Sequence, residues 1–128
     1  MAVRSPREIA QVRLRHARPV AEAHSLLILH MRRDQVISRL KSVEPAIRAL
    51  GASALYLYGS HARDEARLDS DVDIFIDKDP ARHFGFDEFM SIYFMLQQAL
   101  GTDIGYTTRE GLVEFYRPDI EREAIRIF

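Results

Sequence analysis

Apolar residues first fall into a clear period at Asp34. Val36, Ile37, Leu40, Val43, Ile47 and Leu50 recur at spacings of three and four, the stripe that one face of an α-helix presents. Asp34 can cap or charge the helix start, and Gly51 follows its end. Pro45 lies within the run; it lacks an N–H and crowds the preceding turn, so it predicts a kink or a division into two short helices. "ALYLY" (Ala54–Tyr58) is a continuous apolar run with aromatic residues, the pattern of a buried strand. Gly59-Ser60 ends it, and "HARDEAR" predicts a helical turn or short helix. "DVDIFID" (Asp71–Asp77) reads as a second strand, closed by Lys78, Asp79 and Pro80.

Between Gly85 and Gly101, "GFDEFMSIYFMLQQALG" predicts a helix. Phe86, Phe89, Met90, Tyr93, Phe94, Leu96 and Leu100 crowd one broad side of it, a core-forming stripe. "TDIGYTT" (Thr102–Thr108) predicts a third, short strand, and "PDIEREAIRIF" (Pro118–Phe128) a last helix that starts on proline and ends apolar. Strands interleaved with helices place the chain in the α/β or α+β class.

Residues 1–30 break the pattern, with little periodicity and interruptions at Pro6 and Pro19. They read as an arm outside a domain covering residues 31–128. The arm is a flexible or weakly helical segment, a basic arm for an acidic partner surface, or an extension upstream of a start at Met31. It holds five arginines against Glu8 and Glu22. Its one apolar run, "SLLILHM" (Ser25–Met31), is too short to span a bilayer and lacks a following small-residue cleavage site, so export is not expected.

The whole chain has 128 residues, suited to one domain, and a formal net charge of -1. Neither direct nucleic-acid binding nor membrane association is expected from that balance. Cysteine is absent, which excludes disulfides and thiolate metal sites and fits a reducing cytoplasm. The five histidines show no metal-ligand spacing, and His61 and His83 read as surface residues.

The candidate chemistry lies in "LYGSHARDEARLDSDVDIFID" (Leu57–Asp77). Side chains alternate along a strand, so Asp71 and Asp73 point to one side, with Phe75 and Asp77 farther along it, while Ile74 and Ile76 face away. Two neighbouring carboxylates repel unless a cation sits between them. Mg²⁺ takes one or two carboxylates together with substrate phosphates. Upstream, Gly59 lets backbone approach a ligand, and Ser60 sits where a following helix would present free N–H groups to phosphate. A phosphate cradle beside metal carboxylates describes a nucleoside triphosphate site; solvated aspartates on an edge strand are the alternative.

Glycine-serine, ten residues, then Asp-x-Asp resembles the signature of the minimal nucleotidyltransferases of the DNA polymerase β superfamily. "YGSHARDEARLDSDVDIFI" keeps the Ala62-Arg63 pair and Ser70, and departs at Asp64, where a glycine is common. The resemblance runs from about Met31 to Phe128. It implies an α+β fold, a small mixed sheet packed by helices. It also implies transfer of a nucleoside monophosphate from a triphosphate, ATP, to a hydroxyl. Gly59 and Ser60 would hold the β- and γ-phosphates, with Arg63 and Ser70 beside the nucleotide, and Asp71 and Asp73 would ligate two Mg²⁺ ions.

Members of that family carry a third acid on a neighbouring strand. Aligned without a gap, "LGTDIGYTTREGL" puts Gly105 in its place. Asp103 lies two residues earlier, on the same strand face and about 7 Å along, and is the catalytic candidate; a loop acid is the other reading. At 128 residues the chain is not expected to hold a separate acceptor-binding domain. At this size it resembles the antitoxin of HEPN/MNT toxin–antitoxin modules. There the transferase neutralises a helical HEPN ribonuclease, in some members by attaching AMP to a tyrosine. The alternative is a catalytically impaired protein of the same fold that neutralises its partner by binding alone.

Overall fold

The helical stripe after Asp34 divides where its proline predicts. The computed structural model describes residues 2–3, 32–67 and 71–128, and in it α1 (Arg33–Ser42) gives way at Val43 to α2 (Glu44–Ala49). Pro45 sits in the first turn of α2, where its missing N–H would have had no helical acceptor. Val36 and Leu40 of α1 and Ile47 of α2 are fully buried.

Among the described residues, five strands form one mixed sheet. In chain order they are β1 (Ala2–Val3), β2 (Ala52–Tyr58), β3 (Val72–Lys78), β4 (Ile104–Thr108) and β5 (Ile125–Arg126). Their order across the sheet is β1-β4-β3-β2-β5. β2 and β3 are antiparallel, with a register shift between Ala52 and Ala54. β3 and β4 are parallel, and the crossover between them is α3 (Phe86–Leu100). That helix stops on Gly101 at φ 66, the left-handed residue that lets the chain turn back into the sheet. The architecture is α+β, as expected. The basic arm lies outside the described residues except for Ala2–Val3, which pair with Tyr106 and Thr107 of β4.

Strand alternation divides the molecule into two unlike faces. Leu55, Leu57, Ile74, Ile76, Ile104 and Tyr106 point to one side and pack against α1, α2 and α3. There Phe89 stacks on Tyr106 with ring centroids 4.5 Å apart. The opposite side carries Tyr56, Tyr58, Asp73, Phe75 and Asp77, with Tyr56 stacked on Phe75 at 4.7 Å. Among the described residues, one short helix, α4 (Arg117–Glu123), belongs to that second side.

α4 is shorter than the sequence pattern predicts. The expected helix over Pro118–Phe128 ends at Glu123, Ala124 is extended, and Ile125–Arg126 join the edge of β2. Ile127 N–H donates to the Leu55 carbonyl at 2.8 Å and Leu55 N–H donates to the Phe128 carbonyl at 3.0 Å. Ile127 and Phe128 are buried. Their apolar character reflects edge pairing against the core, which outweighs continuation of the helix. Among the described residues no helix is long and apolar enough to cross a membrane.

Candidate active site

Asp73 lies near the start of β3, on a rung shared with Tyr58 of β2 and Gly105 of β4. Two glycines flank its carboxylate. A Cβ added at Gly105 would fall 2.7 Å from Asp73 Oδ1, and one added at Gly59 would overlap Asp73 Oδ2. Gly59 also holds φ +75, a conformation that a larger residue resists. Two strands thus leave a slot one carboxylate wide, and Asp73 fills it. The glycine found where a third acid was expected is therefore the direct neighbour of Asp73.

The Gly59-Ser60 turn leaves β2 and winds once. Arg63 N–H donates to the Gly59 carbonyl at 3.2 Å and Glu65 N–H to the Ser60 carbonyl at 2.8 Å. Residues 61–64 are turns, so the expected helical turn is present and a regular helix is not. Asp64 closes it at φ 58, the one non-glycine residue with positive φ among the described residues. Here the departure from glycine has its structural meaning.

His61 corrects the expectation of a surface residue. It is 4 % exposed, and its Nδ1 lies 3.2 Å from the Asp71 carbonyl oxygen. This contact ties the turn after β2 to the start of β3, which brings the glycine-serine pair and the two aspartates together. Asp71 is half-buried immediately before β3. His83 is exposed as expected, 3.1 Å from Glu88 Oε1. Arg63 is exposed and engaged with carboxylates, Glu65 at 3.2 Å and Glu123 at 3.0 Å. Those contacts, led by the hydrogen bond to Glu65, raise its pKa above the usual guanidinium value. Ser70 lies outside the described residues.

Asp103 precedes β4, and its carbonyl accepts a bond from Val72 N–H at 3.4 Å. After burial, its charge is the second cause of a raised Tyr93 pKa, and Tyr93 belongs to α3 on the helix-covered side. Among the described residues no three His, Cys, Asp or Glu side chains group to hold a metal ion, so Asp103 does not complete a trio with Asp71 and Asp73. Two carboxylates nevertheless suit a hard cation that draws its remaining ligands from phosphate. The glycine slot, which any Cβ would crowd, lets the Asp73 carboxylate sit at the floor of the site as one such ligand.

A cavity of about 690 Å³ opens beside Asp73. Tyr58, Gly59 and Gly105 form its polar floor, and Leu112, Val113, Tyr116 and Ile120 form an apolar wall. Sequence reasoning missed this wall. Its signal was the apolar text "GLVEFY" after the third strand, which has no helical or strand period. Arg109 was also missed. It donates to both oxygens of Asp77, at 2.7 and 2.9 Å, and pairs with Glu121 of α4. Its guanidinium lies 4.9 Å from the Tyr56 ring centroid and 5.0 Å from that of Phe75. These contacts, led by the hydrogen bond to Asp77, raise its pKa further. Arg109 thereby anchors α4 over the open face of the sheet.

Comparison with known proteins agrees with this fold. The family model described as "Nucleotidyltransferase domain" matches residues 33–127. A Methanocaldococcus jannaschii protein named "Putative protein adenylyltransferase MJ1379" is 28% identical over 75 residues, 58% of this chain and 75% of that protein. A solved structure of a "putative minimal nucleotidyltransferase" superposes with a TM-score of 0.65 at 29% identity, covering 75% of this chain and 96% of the other.

Proposed function

The chain belongs to the nucleotidyltransferase-domain family, and from that premise we propose that it transfers the AMP unit of ATP to a hydroxyl of a partner protein. The acceptor is a tyrosine of a HEPN-type ribonuclease toxin, and the chain is its antitoxin. The observation that carries the reading is the seat of Asp73, held between Gly59 and Gly105 on the floor of the cavity. The M. jannaschii relative named for protein adenylyl transfer supports a protein acceptor.

In this reading the Gly59-Ser60 backbone would face the β- and γ-phosphates, and Asp71 and Asp73 would hold Mg²⁺. When bound, Mg²⁺ offsets the charge of the triphosphate and of the departing pyrophosphate. The acceptor oxygen bonds to the α-phosphorus, the bond to the β-phosphate oxygen breaks, and the hydroxyl proton passes to solvent. What the chain itself supplies is position and charge. Arg63 reaches phosphate by leaving Glu123, an exchange of one anionic partner for another.

The test is to incubate the chain with the toxin, ATP and Mg²⁺ and weigh the toxin intact. An added AMP unit that is lost with Asp73→Asn is the expected result; an unchanged mass rules the transfer out. A second reading, neutralisation by contact alone, draws on Gly105 standing opposite Asp73 where the third acid was expected. Protection of cells that survives Asp71→Asn combined with Asp73→Asn would select it.

A further inference from the structure

Gly105 is more than the loss of an acid. Its Cα faces the Asp73 carboxylate across the β3–β4 ladder, and its lack of a side chain gives Asp73 Oδ1 room on that side. Gly59 does the same for Oδ2 from β2. The backbone conformation at Gly105 does not demand glycine, because its φ is not among the positive ones. What demands glycine there is the carboxylate.

The same geometry limits how much cation charge the site can hold. A pair of ions clamping attacking and leaving oxygens needs carboxylates that reach both. Gly105 contributes no side-chain oxygen, and no described trio of acidic or histidine side chains replaces it. The acids on the far side of the cavity, Asp119 and Glu123, belong to α4 and not to the strands that carry the Asp73 slot. A pair of carboxylates plus phosphates is, by contrast, the ordinary complement of a single Mg²⁺.

We propose that Gly105 is a positioning residue for Asp73, and that the centre it shapes binds one divalent cation with the nucleotide instead of two. The inference rests on the nucleotidyl-transfer reading of the site and narrows it. Substitution at Gly105 acts through Asp73: the nearest atom to a new Cβ is the end of a short side chain, so the carboxylate swings away while the strand pairing persists.

The experiment titrates the full chain with Mn²⁺ in the presence of α,β-methylene-ATP, which cannot transfer its AMP unit, and counts bound ions by electron paramagnetic resonance. One Mn²⁺ per wild-type chain is expected. Gly105→Ala is expected to weaken Mn²⁺ by about tenfold, with a thermal midpoint within about 4 °C of the wild type. Two Mn²⁺ per wild-type chain overturn the inference and leave nucleotidyl transfer standing. An unchanged affinity in Gly105→Ala also overturns it. A wild type that binds no Mn²⁺ with the nucleotide overturns both readings. If Gly105→Ala does not fold, the wild-type count decides alone.

Discussion

At Asp64 the backbone turns through φ 58, where the Cβ of an ordinary residue crowds the following carbonyl oxygen. Asp tolerates this region better than most residues, yet glycine meets no penalty there. The side chain is exposed, so replacing it removes little packing. Asp64→Gly is expected to stabilise the fold by about 0.5 kcal/mol, the relieved strain less the added freedom of glycine in the unfolded chain. A higher urea midpoint with an unchanged slope would show it. A second residue-scale prediction concerns Tyr106, whose hydroxyl oxygen is buried with no hydrogen-bond partner among the described residues. Burial pushes its pKa above the usual 10.0. Below that pH folded and unfolded chains both carry the neutral phenol, and the contribution to stability is complete. Above it the unfolded chain gives up its proton first, so stability falls as pH rises. Tyr106→Phe keeps the stack on Phe89, removes an unsatisfied polar atom and deletes this titration. It is expected to match or exceed wild-type stability at pH 7, by up to about 1 kcal/mol, and to lose less of it in alkali. Urea titrations at neutral and alkaline pH check both. Tyr93, raised by burial and then by Asp103, leaves the variant some alkaline slope.

The short terminal elements show how a two-residue strand can matter. β5 joins β2 at only two register pairs, but it delivers Phe128 under the Arg48 guanidinium, 5.2 Å from the ring centroid, and into the core. Phe128→Ala is expected to cost about 3 kcal/mol, read as a lower urea midpoint, while Arg126→Ala on the exposed side stays close to wild type. This element was also where the sequence pattern misled. Ile120, Ile125, Ile127 and Phe128 fit a helical stripe as well as they fit an edge strand, and a pair of residues is too short to display a period of two. Longer elements left no such choice. The stripe of α3 and the alternation in β3 correctly placed Phe89, Ile74 and Ile76 inside, and Pro45 marked the break between α1 and α2, but the stripe was drawn too broad, since Phe86 and Phe94 are exposed. The aspartates, the glycine-serine turn and the position of Gly105 were legible because their spacing is local. His61 was not, since its burial depends on the Asp71 carbonyl ten residues on. Arg109 was hidden for the same reason: its partners, Asp77 and Glu121, come from two other elements.

At the scale of the molecule, the two faces of the sheet divide the labour. One is sealed by three helices and carries most of the core. The other is spanned by α4, a seven-residue helix without a buried residue of its own, held by Arg109 between Asp77 and Glu121. The candidate site lies between this helix and the sheet. A ligand that binds the folded chain there raises its stability by mass action. With Mg²⁺ and ATP at about 100 times the dissociation constant, the folded state gains about 2.7 kcal/mol, a rise in thermal midpoint of about 10 °C for a chain of this size. Asp73→Asn weakens cation attachment without opening the helix-covered core, so it is expected to abolish the rise while the ligand-free midpoint moves little. Differential scanning fluorimetry on both chains, with and without Mg²⁺ and ATP, checks this. An equal rise in the two would place the nucleotide away from Asp73, and no rise in either would remove the nucleotide from this face of the sheet.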